Sequence, residues 1–467
     1  MTAAVLDPPV LDRTDARTVG QIVDRAGRED FDRWADQVAG CGHCARPVRL
    51  RGRIVQGGHE VYSTDREPDG VLLKRCGNRR AAVCPSCSRE YAGDMWQLLY
   101  AGAAGGRKGV PESVRAHPLV FATLTAPSFG PVHGVRSGGG SARCRPPRGR
   151  PMVCRHGRPR WCSAIHQDGD LRLGEPLCRD CYDYAGHVAF NWHAPELWRR
   201  FTITLRRVLA HRLGLTPAGL NRRCRLSFVK VAEFQRRAVV HFHALIRLDG
   251  AGDGITPPDL PVDAAELAAA IREAAAAVRL TVDLPGGQVV MLRFGEQTDT
   301  QPVNAGPGEL TPERVAAYVA KYATKSAEDF GLGDRRQTGA ALAGHGLSVH
   351  VAQVVRTCWE LGGDETFDGL RRWVHMAGFR GHFASKSRRY STTLGTIRGE
   401  RREYRRREAS ERAQLLGHPD PYDDTVPVIG RWEFAGLGYL NGGDAALALS
   451  AAARARERRE AARDVID

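Results

Sequence analysis

Three groups of residues have the types and spacing that chemistry needs. The first lies in VVHFHALIRLDG, residues 239–250, where His241 and His243 flank one phenylalanine. Along a strand, side chains two apart share a face, so the imidazoles point the same way, about 6–7 Å apart, and Phe242 points opposite. Such a pair is either two hydrogen-bonded core histidines or two ligands of a divalent ion. Glu233, in VAEFQ, precedes His241 by eight residues, with QRR between them as a hairpin connection. A carboxylate on that neighbouring strand would be a third ligand. Two imidazoles and a carboxylate with open positions suit Mg²⁺ or Mn²⁺ holding a phosphate oxygen.

The second group is AAYVAKYATKSAE. Tyr318 and Tyr322 are four apart and share a helical face; Lys321 and Lys325 each follow a tyrosine by three. The chain has six lysines against 62 arginines, and two of the six fall here. An ammonium in place of the usual guanidinium suggests a specific need, such as lowering a phenol's pKa or holding a phosphate. The plainer alternative is a helix with half-buried tyrosines and solvated lysines.

The third group is the cysteines, twelve in all. Cys41-x2-Cys44 and Cys84-x2-Cys87 form two knuckles that can give four thiolates to one zinc. Cys76 is a spare, or replaces one of the four. Cys154, Cys162, Cys178 and Cys181 form a second set, with His156 and His166 nearby and Cys144 upstream. Only the CxxC at 178–181 is firmly spaced there. The expectation is one or two structural zinc ions, against the alternative of free buried cysteines.

These residues need elements to position them. CRLSFVKVAEF and AVVHFHALIRL read as paired strands, and HPLVFATLTAPSFGPVH as a strand entering a loop. Thr311 is an N-cap candidate with Pro312 at the first position of the tyrosine helix. Helical spacing also marks residues 19–39, REYAGDMWQLLYAGAAGG, PELWRRFTITLRRVLAHRLGL and an alanine-rich stretch near 263–280. Residues 134–160 are rich in Gly, Pro and Arg and read as an exposed basic loop.

A net charge of +15 suggests a polyanionic partner, nucleic acid by default. The start, MTAAVLDPPVLDRTDARTV, has no signal-peptide pattern, and no apolar run is long enough to span a membrane. The expected location is the cytoplasm, with no membrane partner, where thiols favour metal over disulfides. No G-x-x-x-x-G-K-[ST] occurs, so neither ATPase nor helicase activity is expected.

In order, VFATLTAP (with Thr123 and Thr125), HFHALIRL and YVAKYATK resemble the three motifs of HUH-type rolling-circle replication initiators. The RepSA-type initiators of actinomycete plasmids and integrative elements are the nearest in pattern. CGNRRAAVCPSC, LCRDCYDYAG and GFRGHFASKSRRYSTTL resemble stretches of the same group, and YVAKY is similar to the two-tyrosine motif of phage gene A proteins. One departure is the long cysteine-bearing insertion between the FATLT strand and the histidines.

The resemblance implies an α+β fold, a palm-like (ferredoxin-like) antiparallel sheet with packed helices, plus zinc modules. It implies DNA cleavage in which His241, His243 and Glu233 hold the metal and Tyr322 or Tyr318 attacks, Tyr322 first, beside Lys325 and Lys321. A 5′-phosphotyrosine link and a 3′-OH primer would result. Arginines in 143–160 and 398–412, and Lys386, Arg388 and Arg389, are the expected DNA contacts. Expected partners are single-stranded and duplex origin DNA and a host helicase and polymerase. The expected domains are a disordered 1–18, a zinc-binding 19–105, an HUH domain at 106–330 with an insertion at about 134–190, and a basic helical 331–467. An HUH transposase or relaxase uses the same chemistry. A zinc-ribbon regulator without catalysis would explain the cysteines but not the tyrosine–lysine helix.

Overall fold

The computed structural model describes residues 15–135, 142–147, 149, 151–252, 255–303, 310–324, 332, 347–416 and 428–464. The helices and strands begin with α1 (Ala16–Ala26), α2 (Phe31–Gly40), β1 (Val48–Gln56), β2 (His59–Ser63), β3 (Leu72–Lys74) and α3 (Pro85–Ala104). Then come β4 (Leu119–Leu124), α4 (Tyr184–Arg212), α5 (Pro217–Arg223), β5 (Cys224–Phe234), β6 (Val240–Gly250) and α6 (Ala264–Ala277). They continue through β7 (Leu280–Leu284), β8 (Gln288–Leu292), β9 (Thr298–Pro302), α7 (Pro312–Tyr322) and α8 (Val349–Leu361). The last are β10 (Ala384–Lys386), α9 (Leu394–Leu415), β11 (Val428–Leu437) and α10 (Gly442–Asp464).

The chain divides into two units, and the boundaries differ from those expected. One unit joins both ends, residues 1–94 and 395–467; the other is 95–394. The cause is strand pairing. β11 pairs antiparallel with β1, so the C-terminal stretch returns to the first unit, whereas β10 pairs with β5 and draws the segment before α9 into the second. Most of the expected disordered start, residues 1–14, lies outside the described residues. The helix begins at Ala16, capped by Asp15, whose carboxylate accepts from the Thr18 amide at 3.0 Å.

In the terminal unit, β1 lies between β11 and β2, and β3 also pairs with β1. Ile22, Trp34, Val38, Leu447 and Ala448 form its small apolar core. Arg25 is buried beside it, with two bonds to Asp444 at 2.8 and 2.9 Å and one to Asp69 at 2.7 Å. These bonds tie α1 to α10 across the length of the sequence.

The central unit holds a five-stranded antiparallel sheet in the order β10-β5-β6-β4-β9. Alternation along β6 separates two faces. Phe242, Ala244, Ile246 and Leu248 enter the main core with Phe190, Leu197, Phe201 and Leu205 of α4 and Leu267 and Ile271 of α6. Phe242 is 1% exposed, so burying its ring stabilises this strand by about 1.5–3 kcal/mol. α4 starts at Tyr184, eleven residues before the expected start at Pro195, which lies inside the helix. A long buried face offsets the hydrogen bond that proline removes. The opposite face carries His241, His243 and Arg247. Arg247 is fully buried, paired with Asp249 at 2.6 and 2.9 Å, and also bonds the Gly102 carbonyl.

Candidate active site

Glu233 stands directly across from His241, and Val231 across from His243, in the β5–β6 ladder. The hairpin turn fixes that register. Gln235 and Val239 bond across it at 2.8 Å, Ala238 takes φ 60°, and its carbonyl accepts from Asn191 Nδ2 at 2.9 Å. Glu233 Oε2 lies 2.9 Å from His241 Nε2 and 2.9 Å from His243 Nε2. Burial works to raise the Glu233 carboxyl, yet the bonds to both histidines outweigh it and bring it down to about 2. The group is therefore an anion shared by two imidazoles.

This donor set fits a divalent ion. At metal–oxygen distances of about 2.0–2.1 Å, adjacent corners of an octahedron stand about 3 Å apart. One carboxylate oxygen and two imidazole nitrogens have that spacing on one side, and the three ligand atoms lie within 4.8 Å of one another. Thr123 on β4 pairs with His243, and its Oγ1 lies 3.1 Å from His243 Nδ1. His243 is thereby held at both nitrogens, the arrangement that orients metal-ligating histidines. His241 Nδ1 is buried with no partner among the described residues.

α7 brings the tyrosines to the same place. Thr311 Oγ1 caps it by accepting from the Arg314 amide at 3.4 Å, Pro312 opens it, and Val315, Ala316, Val319 and Ala320 form its buried face. α7 packs against β5. The Tyr322 ring stacks on His243 at 5.1 Å and 29°, while Tyr318 meets that ring edge-on at 5.4 Å. The two tyrosine rings are 4.6 Å apart, and Phe121 stacks against His243 at 5.8 Å. Tyr318 is 44% exposed and Tyr322 half-buried. Lys321 is exposed on α7; Lys325 lies outside the described residues. The arrangement sets two phenols beside a carboxylate and two imidazoles that could hold a divalent cation.

Just past this group, at the hairpin end of the sheet, is an open cleft of about 730 Å³. Thr125 and Gln235 line it, two residues beyond Thr123 and Glu233, with Arg145, Arg236, Arg237 and Arg293. Arg145 falls in the expected basic loop. Arg236, Arg237 and Arg293 were missed; Arg236 and Arg237 lie in QRR, whose only visible signal was a turn. Of the other expected DNA contacts, Arg388 is exposed and Arg389 bonds the Gly252 carbonyl. Lys386 is partly exposed at the end of β10. Its ammonium donates to the carbonyls of Ser387, Arg388 and Ser391 at 2.9–3.3 Å and ties down its own turn. Arg398 and Arg401 of α9 bond Asp94, and Arg401 also bonds Glu90, both acids on α3.

The cysteines are partitioned differently from the expected sets. In the first group the four converging sulfurs are those of Cys44, Cys76, Cys84 and Cys87. Neighbouring sulfurs stand 3.7 Å apart for Cys44–Cys84, Cys44–Cys87 and Cys76–Cys87. Zinc–sulfur bonds of about 2.3 Å in a tetrahedron require about 3.8 Å between sulfurs. Cys41 is outside this group and points its sulfur at the Val38 carbonyl, 3.3 Å away, because it closes α2. In the insertion, Cys154, Cys178 and Cys181 converge with His156, whereas Cys162 joins Cys144, His133 and His166. The expected foursome containing Cys162 is not formed.

The family model described as the replication initiator protein of pSAM2, RepSA, matches residues 30–453. A replication initiator protein of Streptomyces ambofaciens is 43% identical over 465 residues, spanning 97% of this chain and 96% of that protein. No solved structure matches the chain. Among the described residues no helix is long and apolar enough to cross a membrane. The match runs through the paired strands, the tyrosine helix and the cysteine groups alike, and the chain belongs to the RepSA family of replication initiator proteins.

Proposed function

We propose that this protein initiates rolling-circle replication of a plasmid or integrative element by nicking one strand of its origin through a tyrosine, on an HUH-type palm. The observation that carries this is the stacking of Tyr322 on His243, itself bonded to Glu233 with His241. A phenol close to two imidazoles and a carboxylate that could share a cation is what supports the reading. A Mg²⁺ or Mn²⁺ held there would polarise the scissile phosphate.

The chain's own residues do the rest. Glu233, His241 and His243 fix the phosphate's position; Thr123 holds His243 in orientation; α7 presents the tyrosines. The Tyr322 oxygen forms a bond to phosphorus as the bond from phosphorus to the 3′ oxygen breaks. The phenol loses a proton and the departing oxygen gains one, leaving a 5′-phosphotyrosine and a 3′-OH primer. The covalent link retains the phosphodiester's energy: a second cut through Tyr318 frees a new 3′-OH, whose oxygen attacks the Tyr322-linked phosphorus, rejoins the strand and releases the Tyr322 phenol without ATP. The arginine-lined cleft beyond the hairpin suits the flanking single strand, whose phosphates these side chains position. A host helicase and polymerase would act from the 3′-OH. The groups at Cys44–Cys87 and Cys154–Cys181 are read as structural zinc sites.

The test is to incubate the protein with single-stranded origin oligonucleotide and Mn²⁺ and look for a detergent-stable protein–DNA adduct. The adduct should form with wild type and vanish in the Tyr318→Phe/Tyr322→Phe double variant. His241→Ala should lose cleavage and keep duplex binding. An adduct that survives loss of both tyrosines would refute the reading.

A further inference from the structure

The insertion between β4 and α4 contains more ligand chemistry than one CxxC can use. Two groups converge there and share no residue: Cys154, His156, Cys178 and Cys181, and separately His133, Cys144, Cys162 and His166. We propose that the second group, His133–Cys144–Cys162–His166, binds a zinc ion of its own, a third structural site in the chain. The inference stands whether or not the tyrosine chemistry is correct.

The ligand spacing has the right size. His133 Nδ1 lies 3.1 Å from His166 Nε2, and Cys162 Sγ lies 3.5 Å from the same nitrogen. All four ligand atoms fall within 4.8 Å of one another. Zinc bonds of about 2.0–2.3 Å to nitrogen and sulfur put neighbouring tetrahedral corners about 3.3–3.8 Å apart.

Features outside the four ligands point the same way. His166 Nδ1 sits 2.6 Å from Asp170 Oδ2, so its proton faces the carboxylate and Nε2 offers its lone pair to the cluster. Asp170 is itself held by Arg172, at 2.9 Å to each carboxylate oxygen. The carboxylate–histidine arrangement fixes the tautomer and ring direction a metal ligand needs, and His166 is buried. The Gly134 amide points at Cys144 Sγ from 3.4 Å. In the first group, the Ala45 and Cys76 amides point at Cys84 and Cys44 sulfurs in the same way, each at 3.3 Å. The backbone brings the ligands together. Arg145 and Cys162 bond each other reciprocally at 2.9 and 2.8 Å, and the Cys144 amide bonds the Ala164 carbonyl at 2.8 Å.

The chemistry is that of a closed site, with two thiolates and two imidazoles and no open position. Its role follows from its place. His133, Gly134 and Arg145 all line the arginine cleft, so an ion joining them to Cys162 and His166 stiffens that wall.

The test is zinc content by mass spectrometry and the absorption spectrum of the cobalt-substituted full-length protein. Cys144→Ser and Cys162→Ser should each hold one zinc equivalent less than wild type. The cobalt difference spectrum for Cys144→Ser should be that of a tetrahedral two-thiolate site, at shorter wavelength than a four-thiolate one. His133→Cys keeps a ligand, so it should retain the zinc while its cobalt bands move to longer wavelength with added thiolate charge transfer. Unchanged zinc in both serine variants would overturn the site. So would cobalt bands in His133→Cys identical to wild type, a comparison that holds even if the serine variants fold poorly.

Discussion

Thr123 Oγ1 and His243 Nδ1 lie 3.1 Å apart on adjacent strands, directly paired in the β4–β6 ladder. Together with Glu233 at Nε2, this leaves the His243 ring one orientation. Thr123→Val keeps the shape and removes the bond. Nicking should fall about 10–100-fold, with the Mn²⁺ concentration for half-maximal rate shifted upward. A metal titration of the nicking rate checks this; an unshifted midpoint would show that Thr123 does not orient the ligand.

The partition of the first cysteine group makes a paired prediction. Cys76→Ser removes one of four converging sulfurs and should cost one zinc equivalent and lower the thermal midpoint. Cys41→Ser leaves all four sulfurs in place and should keep full zinc. Metal analysis of the two variants side by side decides it, and loss of zinc from Cys41→Ser alone would reverse the assignment.

Arg25 holds the two ends of the chain together through Asp444 and Asp69. Arg25→Met leaves the buried Asp444 carboxylate without its cation, while Asp69 keeps Arg28 at 3.1 Å. The expected loss is about 3–5 kcal/mol, because breaking one partner of a buried pair strands the other. Urea unfolding followed in the terminal unit measures it, and Arg25→Met/Asp444→Leu should recover much of the loss.

Lys230 sits on the core face of β5, with its ammonium 4.5 Å from the Phe242 ring centroid. Burial brings its pKa down from 10.5 to about 8. The folded state thus binds this proton less readily than the unfolded one. The cost is fully present below pH 8 and disappears as pH rises from 8 to 10.5. Lys230→Met should therefore stabilise the protein at pH 7, on the order of 1–3 kcal/mol, and much less above pH 10. Denaturation curves across that range test the sign, and a gain that grows with pH would contradict it.

The sequence by itself was enough for whatever depends on near neighbours along the chain. Period-two alternation put His241 and His243 on one face and Phe242 on the other; the short QRR turn set Glu233 opposite His241; Thr311 and Pro312 marked the start of the tyrosine helix, and four-residue spacing put both tyrosines on one side of it. Each of these rests on bonds closed within a few residues, so local patterning specifies them. Tertiary structure decided the rest. It chose Cys76 over Cys41, moved Cys162 to a histidine-containing group, brought β11 back to β1 and α10 to α1, and placed Thr123 and Phe121 around His243. Loop closure costs little more for a long loop than for a moderate one, so spacing along the chain scarcely discriminates among distant partners. Packing makes that choice, through the contacts that form only once the sheet and its helices are assembled.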